Sequence, residues 1–200
     1  MKKYNTEEFI SQLRNTKLQG IPHIYPYEKS KISLQKFSKD DLYPTSFYCL
    51  KSQINELIVL NAKLRNAGYN IFNLDGYVSF EDIDIFAITP PIIEVVQGKP
   101  LIVDGLHRVL LSDAYNEKIQ CVVIENAEPI TYAVANPHKW EDVKQFEERV
   151  PAGFKTRNHR YGDDYKRYTR IFDLDGIAQL PREHNKSYQM QILKGIANGR

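Results

Sequence analysis

The chain has 200 residues, 26% of them charged and 42% hydrophobic, and a formal net charge of +2. That length suits one domain, or one domain with an appendage, and is enough to bury a core. The balanced charge leaves no global basic field to mark a nucleic-acid or membrane binder, no apolar run approaches the roughly 20 residues of a membrane span, and the polar MKKYNTEEF is no signal peptide, so a cytoplasmic protein is expected.

Residues 4–16 read as a short helix opened by Thr6-Glu7-Glu8, with Phe9, Ile10 and Leu13 on one face. GIPHIYPYEKS, residues 20–30, reads as an extended arm, and Lys31 to Phe37 as a strand with Ile32 and Leu34 inward. After a turn at Pro44-Thr45-Ser46, helical spacing runs from Phe47 to Asn66 and Gly68 is its stop signal. Asp75-Gly76 between Ile71-Phe72 and Tyr77-Val78 predicts a hairpin. Ser79 with Asp82 three residues on predicts a short helix to about Phe86. Ile88 to Val96 forms a strand entered through prolines, and Gln97-Gly98-Lys99-Pro100 turns it into a second strand, Leu101 to Val103.

Ile119 to Ile124 (IQCVVI) is continuously apolar, as in a strand buried on both faces. Pro129 to Ala135 reads as a strand or a connection, and Lys139 to Val150 as an amphipathic helix carrying Trp140, Val143 and Phe146. Asp175-Gly176 between Ile171-Phe172 and Ile177-Ala178 predicts another hairpin, followed by a polar tail over 183–200. Cys49 and Cys121 read as buried thiols rather than a disulfide or a metal pair.

The chain is organised around Pro100 to Leu111, PLIVDGLHRVLL. A strand ends at Asp104-Gly105 and a helix begins at once. Glycine lets the backbone turn without a Cβ clash. The first helical N–H groups lack internal partners and suit an anionic phosphate. His107 and Arg108 place side-chain donors in the same turn, where the helix dipole disfavours a cation unless an anion is near. Gly105, Leu106, His107 and Arg108 are therefore candidate phosphate-binding residues. Asp104 has two readings, a helix cap or a carboxylate that orients Mg²⁺ or acts in catalysis. Thr45 and Ser46, after Pro44, are a second anion-binding candidate or a simple N-cap.

IVDGLHRVLLSDAYNEKIQCVVIENA resembles the core of the ParB/sulfiredoxin-like superfamily, and Leu42-Tyr43-Pro44-Thr45-Ser46 is similar to the L-x-P-T-Q box of some members, with Ser46 in place of Gln. The match covers about residues 88–126. The resemblance implies a strand, G-x-H-R turn, helix and return strand that hold nucleotide phosphates, as in ParB CTPases, ParB-like nucleases and free-amino-acid kinases. Sulfiredoxin chemistry is disfavoured, because Leu106 stands where its cysteine would be.

The fold expected is α/β, in the α+β arrangement: a small mixed sheet of roughly four to six strands with helices around it. Its core runs over residues 31–126, between an N-terminal helix and arm (1–30) and a C-terminal appendage (127–200) closing over the site. The function expected is a nucleotide-binding enzyme that transfers phosphoryl from ATP, ADP or CTP, with Mg²⁺, to a small hydroxylated metabolite. Asp104, His107 and Glu94 would be its catalytic residues; Glu94 also reads as an exposed edge-strand residue. Arg157 and Arg160 belong to a basic-aromatic block, Lys155 to Arg170, which reads as a phosphate clamp, a nucleic-acid track with Tyr161, Tyr165 and Tyr168 stacking, or a solvated face. The alternative function is a ParB-like nuclease or a CTP-dependent nucleic-acid-binding protein, and a third is a nucleotide sensor without turnover. Nucleic acid is allowed as a partner but not favoured, since Asp163-Asp164 interrupts the block.

Overall fold

The computed structural model describes residues 2–80, 86–128, 135–159, 167–174 and 177–179. In chain order its elements are β1 (Lys2–Lys3), α1 (Thr6–Leu13), β2 (Lys17–Leu18), β3 (Lys31–Phe37), β4 (Tyr48–Leu50), α2 (Lys51–Asn66), β5 (Val78–Phe80) and β6 (Phe86–Ile88). They continue with β7 (Ile92–Val96), β8 (Lys99–Asp104), α3 (Leu106–Ala114), β9 (Ile119–Glu125), β10 (Lys144–Phe146), β11 (Arg170–Leu174) and β12 (Ile177–Gln179). This is a mixed α+β fold of small sheets packed with helices.

The principal sheet has the order β3-β9-β7-β8. Strand β9 runs antiparallel to β3 and parallel to β7, and β7 and β8 form an antiparallel hairpin. Gln97 (φ 51°) and Gly98 (φ 75°) make its turn, both in the left-handed region that suits the twist of a tight hairpin. Burial on both faces of the sheet explains the unbroken apolar runs. Ile119 and Cys121 of β9, Ile93 of β7 and Ile102 of β8 face a core built with Leu57 and Leu64 of α2 and with Leu106, Val109 and Leu111 of α3. Val122 and Ile124 of β9 and Ile92 of β7 face the other way, onto Phe9 and Leu13 of α1, Tyr27, Tyr77 and Phe172. Both cysteines are free and buried.

The sequence reading holds for the β7–β8 hairpin, β3, β9, α3 and the β11–β12 hairpin, whose antiparallel register pairs Leu174 with Ile177. Helix α1 is capped by Asn5, whose side chain accepts from Glu8 N at 2.9 Å. Elsewhere tertiary packing overrides the local signal. Residues 47–50 are not helical: β4 pairs in parallel with β10, and α2 starts only at Lys51. The stretch 139–150 forms a 3₁₀ turn at Trp140–Asp142 and then β10, because Trp140 Nε1 donates to the carbonyls of Lys39 and Leu42. No hairpin forms across Asp75-Gly76; Val78–Phe80, with Ser79 in it, pairs with β1 and β6 instead, and residues 81–85 of the expected short helix lie outside the described residues. Segment 20–30 is a series of turns rather than an extended arm, and Tyr27 within it is fully buried. Residues 129–134 and 183–200 lie outside the described residues. Among the described residues no helix is long and apolar enough to cross a membrane.

Candidate functional site

Strand β8 lies at the edge of the principal sheet, not at its centre. The loop before β4 covers that edge: Tyr43 N donates to Pro100 O and Ile102 N to Tyr43 O, both at 3.0 Å. Thr45 Oγ1 then donates to Ile102 O at 2.7 Å, two residues before Asp104. The fold thus brings the Pro44-Thr45-Ser46 loop beside the Asp104–Arg108 turn. Ser46 Oγ is turned to Tyr48 O at 3.2 Å, and neither Thr45 nor Ser46 starts a helix.

Gly105 has φ 97° and ψ 18°, and it precedes α3 with no side-chain cap. A Cβ here would lie 2.7 Å from Pro91 Cβ and 2.9 Å from Pro91 Cα, so both the conformation and the space require glycine. Hydrogen bonding in α3 begins with Arg108 N and Val109 N, which donate to Gly105 O at 2.9 and 3.1 Å. The N–H groups ahead of them are those a phosphate oxygen accepts from at a helix start.

The two first-turn donors are not solvated, as their position suggests they should be. His107 is 9% exposed, and its Nε2 accepts from Leu50 N at 2.9 Å. That bond fixes the proton of the neutral ring on Nδ1. Arg108 is 1% exposed; one guanidinium nitrogen donates to Thr89 O and the other meets Asp104 Oδ2 at 2.5 Å. Burying a guanidinium is costly unless it is paired and hydrogen-bonded, and Asp104 supplies the charge. The carboxylate of Asp104 therefore pairs with Arg108 four residues on rather than capping α3. Its side chain keeps 33% exposure, so this pair has one dry and one wet member.

Asp104 also decides how a metal would fit. Among the described residues no group of three or more His, Cys, Asp or Glu side chains converges. A single partly exposed carboxylate suits Mg²⁺ that keeps water and takes its other ligands from phosphate. It does not suit an ion caged by protein alone.

Glu94 is neither exposed nor beside this turn. It is 1% exposed, and Arg170 clamps it with Nε on Oε1 at 2.7 Å and Nη2 on Oε2 at 2.6 Å, while Tyr27 Oη donates to Oε1. Tyr27 belongs to the core on the α1 side of the sheet, opposite α3. Burial first, then the negative charge of Glu94, push the Tyr27 hydroxyl well above the ordinary tyrosine range. Burial works against the charge of Arg170, but Glu94 and its hydrogen bonds outweigh that and hold the guanidinium protonated. On the α3 side, burial raises the Cys121 thiol to about 12 despite the opposing pull of Arg108.

Of the basic block, Arg157 is half-buried on a segment that meets the site loop, since Phe47 N donates to Thr156 O at 2.8 Å. Arg167 is exposed and Arg170 is buried. Arg160, Tyr161 and Tyr165 lie outside the described residues. Two residues that the sequence reading did not single out join the loop. His138 N donates to Pro44 O at 3.2 Å, and its ring stacks on Phe47 with centroids 4.0 Å apart.

A family model described as ParB CE domain matches residues 8–144. No curated protein matches the chain, and no solved structure does.

Proposed function

The chain belongs to the ParB CE domain family, and from that premise we propose that it is a nucleic-acid-binding protein whose Gly105–Arg108 turn holds a nucleotide phosphate. The observation that carries this reading is the glycine-started α3, uncapped by any side chain and backed by the half-wet Asp104–Arg108 pair. An uncapped helix start offers N–H donors to an anion, and a guanidinium just beneath it adds charge without being spent on water. His107 and Arg108 are both held by backbone partners, which suits gripping a ligand better than moving a proton. CTP, ATP or ADP is the nucleotide class, and Asp104 would be the residue that holds Mg²⁺, which would supply charge to neutralise the phosphates. The described part of residues 127–200 is read as the appendage beside the turn, supported by the backbone bonds of His138 to Pro44 and of Phe47 to Thr156.

Phosphoryl transfer to a small hydroxylated metabolite is the weaker reading. Glu94, one of the three catalytic residues expected for it, is committed to Arg170 and Tyr27 on the opposite face of the sheet.

The test pairs a nucleotide panel, with and without Mg²⁺, with salt titrations of binding to single- and double-stranded DNA and RNA. Nucleotide at a hundredfold excess over its dissociation constant stabilises by about 2.7 kcal/mol. Nucleic-acid affinity should fall linearly with log salt, at about 0.9 per phosphate contacted on duplex DNA. In Asp104→Asn, binding of nucleotide should persist while its dependence on Mg²⁺ disappears. Unaltered Mg²⁺ dependence in that variant would remove Asp104 from the site, and nucleotide turnover without any nucleic-acid affinity would restore the enzyme reading.

A further inference from the structure

Three segments meet at the Pro44–Phe47 loop, and they leave cationic or ionisable nitrogens buried without partners. Asn136 N donates to Asn158 O at 2.8 Å, His138 N to Pro44 O at 3.2 Å, and Phe47 N to Thr156 O at 2.8 Å. Residues 136–138 and 156–158 are therefore seated on one another and on the loop. Both ring nitrogens of His138 and Nε of Arg157 are shielded from solvent and find no hydrogen-bond partner among the described residues. Leaving one buried polar atom unsatisfied costs about 1–3 kcal/mol, and native structures keep few such atoms. Three of them stand on two side chains of one seam, each short of an acceptor.

We propose that His138 and Arg157 form a phosphate subsite, adjoining the Gly105–Arg108 turn and distinct from it. Chemistry selects the ligand. Arg Nε–H is a donor only, and an imidazole donates from one nitrogen or from both. An oxyanion accepts from all of these, and its charge matches the guanidinium. The Phe47 ring holds the imidazole plane, so its nitrogens point around the ring edge rather than turning freely. The connection to the turn is short and runs through one hydrogen bond: Thr45, two residues before Phe47, donates its hydroxyl to the carbonyl of Ile102, two residues before Asp104. A ligand with more than one phosphate is therefore the class expected, either a nucleoside triphosphate or a phosphodiester chain.

This subsite extends the proposed function but is tested apart from it, through variants away from the turn. His138→Phe keeps an aromatic ring against Phe47 and removes both orphaned nitrogens; Arg157→Met keeps an unbranched stem and removes the guanidinium. Neither change deletes a packing contact of the core, so both proteins should fold, and thermal unfolding without ligand checks this. The probes are inorganic phosphate, pyrophosphate, CTP and a short single-stranded oligonucleotide. Loss of a charge-assisted bond should weaken binding by roughly 10- to 100-fold for each variant. In the wild type, addition of pyrophosphate should shift the His138 ring resonances in an NMR spectrum. A loss confined to CTP and pyrophosphate would identify a nucleotide tail as the ligand, and a loss confined to the oligonucleotide would identify a phosphodiester backbone. Wild-type affinity for every probe in both variants overturns the subsite, even where Asp104→Asn shows that the turn binds nucleotide. Silent His138 resonances and no binding of any probe by the wild-type protein overturn both readings.

Discussion

Two buried arginines on opposite faces of one sheet show how differently the same ion pair can be used. Arg170 and Glu94 are distant in sequence, both almost fully buried, joined through two parallel bonds and closed by Tyr27. Arg108 and Asp104 are four residues apart, joined through Nη2 and Oδ2, and the carboxylate remains a third exposed. The first pair fastens strand β11 to the far face of the sheet, where Arg170 also pairs across to Leu18 of β2. Its members have no access to solvent and nothing to exchange. The second pair sits under a helix start, and under the proposed function its carboxylate would trade part of its interaction for a metal or yield the guanidinium to a phosphate. Geometry separates a staple from a site where residue type does not.

Breaking the staple should give the largest effect. Arg170→Met leaves the Glu94 carboxylate buried without its cation, and such a loss costs about 3–5 kcal/mol. Chemical denaturation would measure it. The double variant Glu94→Leu/Arg170→Met should recover most of that loss, because a hydrophobic pair of similar volume replaces a buried ion pair at little net cost. Failure to recover would mean that the pair has a role beyond joining β11 to the sheet.

The site side is broken best at Gly105. Gly105→Ala must hold φ 97° and push its Cβ against Pro91, which should cost about 1–3 kcal/mol. The loss should be accompanied by weaker phosphate binding, since Pro91 and the start of α3 would be forced apart. A stable Gly105→Ala protein with intact binding would show that the tight approach to Pro91 serves neither purpose.

Alkaline titration sharpens the comparison with the smallest perturbation. Cys121 has its thiol raised to about 12 in the folded protein, above its ordinary value. Between these limits the unfolded chain has lost a proton that the folded chain keeps. Stability from this group is therefore complete below the ordinary thiol range and declines as pH rises toward 12, by about 1.4 kcal/mol per pH unit. Tyr27, also shifted upward, adds the same sign at higher pH. Cys121→Val should flatten the lower part of that decline, as followed by thermal unfolding across the alkaline range, and an unchanged slope would deny the thiol its part.

The pattern of residues determined the parts of this protein that depend on near neighbours. The β7–β8 hairpin, the glycine turn into α3 and the doubly buried IQCVVI strand follow from turn chemistry and unbroken apolar runs, and the resemblance of PLIVDGLHRVLL led to the family that residues 8–144 match. Some of what was missed was also legible. Arg170 stands two residues before Phe172 on one strand and must share its inward face, and Glu94 sits in a strand whose every neighbour is apolar, so each required a buried opposite charge. Other features had no local signal. Residues 48–50 and 144–146 became strands because they found each other across nearly a hundred residues, against a helical period in both. Arg108 went under the turn rather than into water because the Thr89 carbonyl and the Asp104 carboxylate accept from it there. His138 reached the Thr45 loop through a backbone bond to Pro44 that any residue could make. Such placements depend on which distant surfaces meet, and short-range periodicity carries no information about that; the tertiary structure alone decided them.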